Sequence, residues 1–287
     1  MKLVLLTLLA FVFPPASAVA QDTIVWFHTD FPPMSIIQGS DAGTGASDKW
    51  GRYLMEHLPE FRHEKLISNV ARQHEEMKHR DNACFRSFIK TPEREKYLVF
   101  SEQIVDVLPN GLVTLSSRKA ELEPFMNQKG ELRLAELLAD GRYKIGVASG
   151  RSFGPKIDSV VGSLKGGANI VPFASGDIFY TGLVYLSKRG TVDGLLGYAI
   201  ELEYGLGRLK EDPSLFTFLP IAEDTSLVPV YISCSKSPMG EKIISRINQV
   251  IRSGGFAYAT TVYRAWLPSE TRDYYDRLRK EKPRSKK

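Results

Sequence analysis

Short runs of β-branched and aromatic residues alternate along this chain with stretches whose apolar positions recur every three to four residues. That alternation predicts strands and helices in succession, not a single element type. Thr23–His28 reads as a strand ending at the turn Phe31-Pro32-Pro33. Ser40–Ser47, rich in Gly, Ala, Ser and Asp, is a loop. Ser47 or Asp48 then stands where it would cap a helix carrying Trp50, Leu54 and Leu58 at i, i+4 and i+8. Val70, His74 and Met77 mark a second helix and Asn82–Ile89 the next strand, so the order is β-α-(β)-α-β, a parallel sheet with helical crossovers. Val105–Leu115 is extended through Pro109-Asn110-Gly111. A second α/β unit follows: helix Leu132–Leu138, strand Tyr143–Ala148, the loop Ser149–Gly154 entering a helix, strand Asn169–Pro172, helix Ile178–Leu186 and the buried strand Thr191–Gly197. Leu227–Ser233 is again a strand, and Glu241–Ser253 is an amphipathic helix with Ile243, Ile244, Ile247, Val250 and Ile251 on one side, ended by Gly254-Gly255. No fixed-period repeat joins the two units.

The first residues change the picture. Lys2, the apolar run Leu3–Phe13, Pro14-Pro15 and Ala18-Val19-Ala20 read as a secretory signal peptide, residues 1–20, cut after Ala20. The apolar run is shorter than the roughly 20 residues a spanning helix needs, and no cysteine follows the expected cut. The mature chain is expected to be soluble and exported. Net charge is a tail property: residues 272–287 hold eight Lys/Arg and three Asp/Glu, while Gln21–Thr271 carries a net −1. A like-charged block at a terminus reads as a frayed, solvated tail. Contact with anionic lipid or nucleic acid is the other reading, with no nucleic-acid motif behind it.

Catalytic and metal motifs are sparse. His74-Glu75-Glu76-Met77-Lys78-His79 approximates the zinc pattern H-E-x-x-H, but its second histidine comes one residue late. Five helical residues rotate by roughly 500°, which turns the rings to different sides. G-x-S-x-G is absent, and no G-K-[ST] follows the Gly150–Gly154 loop. Thr91-Pro92-Glu93-Arg94 is more telling. Thr91 can cap a short helix with Pro92 at its first position, which puts Arg94 in the first turn, against the helix dipole. Binding an anion beside the helix N-terminus is one reason for a cation there. An ion pair with Glu93 or Glu95 is the other.

Four segments in order resemble the family 3 periplasmic solute-binding proteins, the amino-acid-type receptors of ABC importers. Thr91…Arg94…Phe100-Ser101 is similar to the family's T-x-x-R…F-S block, and His28–Met34 to its opening T-D…P-P-F turn. Ile145–Gly150 resembles V-G-V-x-x-G, and Val192–Leu196 the strand V-D-A-x-x. The resemblance implies an α/β, two-lobed type II periplasmic-binding fold, each lobe a mixed sheet flanked by helices, with two hinge crossovers near Asp106–Asn110 and Ala222–Val228. The first lobe would comprise residues 21–108 and 227–270 and the second 109–226, with Phe256–Leu267 as the final helix and 271–287 as the basic tail. The resemblance also implies that the strands of Cys84 and Cys234 are neighbours in the first lobe, so the two are a candidate disulfide. Two buried free thiols are the alternative.

The implied ligand site gathers Arg94 as carboxylate clamp and Thr91 as hydroxyl donor or mere cap. It adds Ser87 and Phe88 through loop backbone, Phe31 as stacking wall or core, and Ser152 with Arg151 at a helix N-terminus. Two departures matter. The family's ammonium-binding carboxylate falls at Tyr198, with Glu201 and Glu203 out of register, and Ile89 replaces a hydroxyl. Arg86 and Lys90 add positive charge near the cleft. The expected function is therefore capture of a small anionic or zwitterionic solute, any amine meeting Tyr198 by cation–π contact. The protein would serve an ABC permease or a sensor as a periplasmic monomer without cofactor. The alternative is a cyclic carboxylate dehydratase-like enzyme on the same fold, with Glu201 or Lys90 as its acid or base.

Overall fold

The computed structural model describes residues 21–163, 169–173 and 178–282, so the expected signal peptide lies outside the described residues. The chain begins β1 (Thr23–His28), α1 (Ala46–Glu56), β2 (Arg62–Ile67), α2 (Val70–His79), β3 (Ala83–Phe88), α3 (Pro92–Glu95), β4 (Leu98–Val107). It continues β5 (Gly111–Leu115), α4 (Lys119–Leu122), α5 (Leu134–Asp140), β6 (Ile145–Ala148), α6 (Pro155–Ser163), β7 (Ile170–Phe173), α7 (Ile178–Val184), β8 (Gly194–Gly197), α8 (Ala199–Leu209), β9 (Phe216–Pro220). It closes with β10 (Val228–Ser235), α9 (Pro238–Val250), α10 (Phe256–Ala265) and α11 (Ser269–Glu281).

Two five-stranded sheets result, ordered β2-β1-β3-β10-β4 and β7-β6-β8-β5-β9. In the first, β1 runs parallel to β2 and β3, while β10 is antiparallel to β3 and β4. The second repeats the pattern, with β6 parallel to β7 and β8, and β5 antiparallel to β8 and β9. Each sheet is mixed and flanked by helices. The chain passes between them twice, after β4 and after β9, so the architecture is two-lobed. The apolar stripe of α1 is buried against the first sheet: Trp50 and Leu54 are fully covered beside Ile24 and Trp26, and Leu58, expected on the helix, is as fully buried just past its C-terminal cap His57. On the same lobe, α9 buries Ile243 and Ile247. Among the described residues no helix is long and apolar enough to cross a membrane.

The structure corrects three expectations. Neither Ser47 nor Asp48 caps α1; Gly45 holds that position, wedged so that a Cβ would meet the Pro33 and Met34 carbonyl oxygens at 2.8 and 2.7 Å. Asp48 is needed elsewhere, as described below. The C-terminal basic segment is not frayed through residue 281: α11 follows α10 and buries Thr271 and Tyr275. Its cations are spread along an amphipathic helix, and the Tyr275 hydroxyl donates to the Asp106 carbonyl at 2.8 Å while Lys282 pairs with the Asp106 carboxylate. With Tyr263 of α10 accepting from the Leu108 N–H at 2.9 Å, both C-terminal helices grip the first crossover. Finally α10 is not the last helix.

Cys84 and Cys234 face each other across the antiparallel β3–β10 pair, with Cα atoms 4.0 Å apart, and are joined in a disulfide. Both are fully buried.

Candidate functional site

The site rests on a buried polar cluster. Arg86, 2 % exposed, points from β3 towards α1, where Gly51 leaves room: a Cβ there would lie 2.4 Å from the arginine Cδ. Its Nη2 donates to Asp48 Oδ1 at 3.0 Å and to His28 Nδ1 at 2.9 Å. Asp48 also accepts from the Ser35 hydroxyl and the Ile36 N–H. The cluster thereby ties β1, β3 and α1 to the turn Phe31–Ser35, which closes on itself through paired backbone bonds and contains a cis Pro32-Pro33 peptide. This corrects the placement of Arg86 in the ligand site. On a pleated strand the side chain alternates faces, and Arg86 shares Cys84's buried face instead of opening to the cleft.

Because His28 accepts from a guanidinium, it must be the neutral tautomer. Burial first, and the Arg86 charge second, lower its pKa from 6.5 to about 4. The unfolded chain thus binds this proton below about pH 6.5 and the folded protein only near pH 4. The contribution to stability is complete above pH 6.5 and is lost as pH falls through that window, up to about 3 kcal/mol. Urea unfolding at pH 7.5, 5.5 and 4.5 should show the loss, and His28→Gln should flatten it. An unchanged slope in that variant would remove His28 as the cause.

Between the lobes lies a cavity of about 280 Å³. The first lobe supplies Thr29, Phe31, Gln73, Ser87, Phe88 and Arg94, the second Tyr198 and Ile200, and the crossover strands Val107 and Val230. Arg94 is held in this lining from three sides. Its backbone N–H is capped by Thr91 Oγ1 at 3.3 Å, its Nη1 donates to the Ile89 carbonyl at 2.6 Å, and its guanidinium stacks on Phe88 at 4.5 Å. The competing acidic partners are taken: Glu93 pairs with Lys96 and Glu95 with Lys90. Among the described residues no carboxylate pairs with Arg94. Burial lowers its pKa from the ordinary arginine value, yet a guanidinium remains charged. Phe88 is stacked by His74 at 5.1 Å, and His74 in turn bonds the Tyr97 hydroxyl at 2.6 Å. His79, by contrast, bonds Glu75. The two histidines of the zinc-like stretch therefore serve different partners.

The second guanidinium is arranged otherwise. Arg151 makes a forked pair with Glu201, Nη1 to Oε1 at 2.7 Å and Nη2 to Oε2 at 2.8 Å. Glu201 also accepts the Tyr198 N–H at the start of α8. Burial opposes Arg151's charge and the Glu201 carboxylate more than offsets it, so its pKa stands above the usual value. Its guanidinium lies 5.0 Å from the Tyr198 ring and 5.5 Å from that of Phe31, reaching across from one lobe to the other. Tyr198, expected to meet a ligand amine, meets the protein's own arginine instead.

Phe31, Ser87, Phe88, Arg94 and Tyr198 thus come together at the cavity. Thr91 stands behind Arg94 as its cap, and Arg151 lies behind Tyr198. Ser152 departs: its hydroxyl donates to Asp158 at 2.5 Å and is exposed, closing the first turn towards α6. Lys90 likewise faces Glu95 and the Phe100 ring, away from the cavity lining. Sequence reasoning missed Thr29 and Gln73, which bond each other at 2.7 Å in the wall, and the Asp48–Arg86 pair. A glycine at position 51, mid-helix and opposite a strand arginine, was the available signal for the pair.

Solved structures share this fold. A polar amino acid ABC uptake transporter substrate binding protein from Streptococcus thermophilus aligns over 86 % of each chain at 17 % identity, TM-score 0.57. Substrate binding domain 2 of Lactococcus lactis GlnP, in an open conformation, covers 90 % of this chain and 98 % of its own at 13 % identity, TM-score 0.58. The Bordetella pertussis BvgS periplasmic VFT2 domain covers 86 % and 93 % at 12 % identity, TM-score 0.58. The chain has the two-lobed type II periplasmic-binding-protein fold. No family model and no curated protein matches its sequence. In this periplasmic-binding-protein fold, the cavity described above occupies the cleft between the lobes, at the ends of β1 and β3, where open α/β sheets bind ligands.

Proposed function

We propose that this protein captures a small organic anion in the cleft between its lobes, as an extracytoplasmic solute-binding component for an ABC importer or a sensor. One observation carries the reading: Arg94 lines the cavity with most of its fork uncommitted and no carboxylate partner among the described residues. A desolvated guanidinium beside an apolar wall favours a carboxylate, which it can grip with two parallel bonds. Similar structures, a polar amino acid ABC uptake transporter substrate binding protein and a GlnP substrate binding domain, support that role. The N-terminal segment supports export, with the cut after Ala20, and the two lobes joined by two crossovers suit closure around a solute. We take the protein to act as a monomer.

An enzyme reading draws no support from the cleft. Glu201, its best acid or base, is spent on Arg151 and the Tyr198 N–H, and Lys90 faces Glu95 outside the cavity. Native mass spectrometry of freshly purified protein should reveal a co-purified acid. Arg94→Ala should weaken its binding about thirty- to a thousand-fold, equivalent to about 2–4 kcal/mol for a charged hydrogen-bonded pair, while leaving unliganded stability within about 1 kcal/mol. Unchanged affinity by calorimetry would take Arg94 out of the site.

A further inference from the structure

In the cleft, cations and aromatic rings are already paired with each other. Of the five aromatic rings in the lining, Tyr263 is fully buried and Phe85 packs on Phe88; the other three each already have a guanidinium within cation–π range. Arg94 lies over Phe88, and Arg151 over both Phe31 and Tyr198. An ammonium brought to any of them would meet a like charge. The carboxylate that could compensate on the second lobe, Glu201, has both oxygens committed to Arg151 and is 6 % exposed. The lining does contain one acid, Asp30, but it is exposed at the rim and one of its oxygens accepts the Ile37 N–H.

The rest of the wall is largely apolar, with Met34, Phe85, Val107, Ile200 and Val230; its uncharged polar side chains include Thr29 and Gln73, which bond each other, Ser35, which donates to Asp48, and Ser87. The mouth is apolar too. Of the six exposed large hydrophobic side chains among the described residues, Phe31, Val70 and Ile89 line this cavity. A fourth, Ile67 at 63 % exposure, pairs with His28 at the end of β1 beside them. Exposed apolar side chains gathered at one opening mark a surface that is covered in function.

We infer that the solute is a monocarboxylate with an apolar body and no ammonium group. This rests on the reading of Arg94 as the carboxylate clamp. Paired with each other behind Tyr198, Arg151 and Glu201 satisfy each other's charges, so the second lobe offers a ligand ammonium no open carboxylate in the described lining, while Arg94 on the first lobe remains open to a carboxylate. An aromatic or branched aliphatic acid suits the volume and the wall. A free amino acid would have to bury its ammonium beside two guanidinium groups without a carboxylate to receive it, which is costly in a low-dielectric site.

The test uses matched pairs differing only in the amine: 3-phenylpropionate against L-phenylalanine, and 4-methylpentanoate against L-leucine. 3-Phenyl-1-propanol serves as the body without the acid. Calorimetry on the full mature protein should show at least one of the acids binding at least tenfold more tightly than its amino acid and than the alcohol. Arg151→Met frees Glu201 and the Tyr198 ring, and should shift preference towards L-phenylalanine by tenfold or more. If the amino acids bind as tightly as the acids and Arg94→Ala abolishes both, the inference falls while the carboxylate clamp stands. If the alcohol binds as well as the acid and Arg94→Ala changes nothing, the clamp itself falls and the inference with it. No binding of either acid at millimolar concentration would also overturn the inference.

Discussion

Asp48→Ala should cost about 3–5 kcal/mol of folding stability, because it strands the Arg86 guanidinium in the interior. Arg86 is 2 % exposed, its Nε already has no partner, and its nearest remaining neighbour would be a neutral histidine. Asp48 also anchors the Ser35 hydroxyl and the Ile36 N–H, so the turn carrying Phe31 should loosen and any solute should bind more weakly. The mechanism is separable from simple loss of packing. Asp48→Ala combined with Arg86→Met removes both charges, and the double variant should recover part of the loss, since a buried pair replaced by apolar groups is often near neutral. Urea unfolding of the two single variants and the double variant closes the cycle. A cost below about 1 kcal/mol for Asp48→Ala, or a double variant worse than the sum of the single ones, would contradict the account.

The second large effect belongs to the disulfide. Cys84 and Cys234 are 150 residues apart in sequence, and the loop they close contains the entire second lobe. Chain-entropy reasoning assigns such a closure up to about 5 kcal/mol, with 2–5 kcal/mol typical for loss of a native bridge. The double substitution Cys84→Ala and Cys234→Ala should therefore lower the unfolding midpoint substantially. It should leave the cleft intact, because the bridge lies inside the sheet and none of its atoms line the cavity. Affinity for the co-purified solute, measured well below the new midpoint, should stay within a few-fold. Stability within 1 kcal/mol of the parent protein would indicate that the two strands hold each other without the bond. Were affinity lost instead, the bridge would matter to the site rather than to the fold.

Much of the architecture is visible in the residue pattern, and the exceptions have physical causes. The β-branched and aromatic run of β1, the aromatic residues of β3 and the short apolar runs of β6 and β8 signal buried strands, and the apolar stripes of α1 and α9 are strong signals because each helix buries one face. The strand β2, Arg-His-Glu-Lys-Leu-Ile, was marked only by its place in the order. It is an edge strand with charged residues on both sides, so it lacks the alternation that a half-buried strand shows. The helix α11 reads as a charged tail because its buried face is narrow; Thr271 and Tyr275 are its buried positions.

The candidate site divides in the same manner. Arg94 in the first turn of α3, with Thr91 as cap and Pro92 following it, is a local arrangement of four residues, and local spacing is enough to point to it. Whether that arginine is paired is not local. By spacing Glu93 and Glu95 are equally eligible partners, and only the fold commits them to Lys96 and Lys90. Arg86 and Arg151 show the same limit more sharply. Both are cations near the cleft in sequence terms, yet one is neutralised by Asp48, 38 residues away, and the other by Glu201, 50 residues away.

By itself the sequence determined the order of elements, the two α/β units and the local setting of Arg94, since these follow from periodicity and short-range capping. Tertiary structure alone decided which charges are spent and which remain open. A buried charge is governed by the partner that packing brings to it, and that partner comes from another part of the chain.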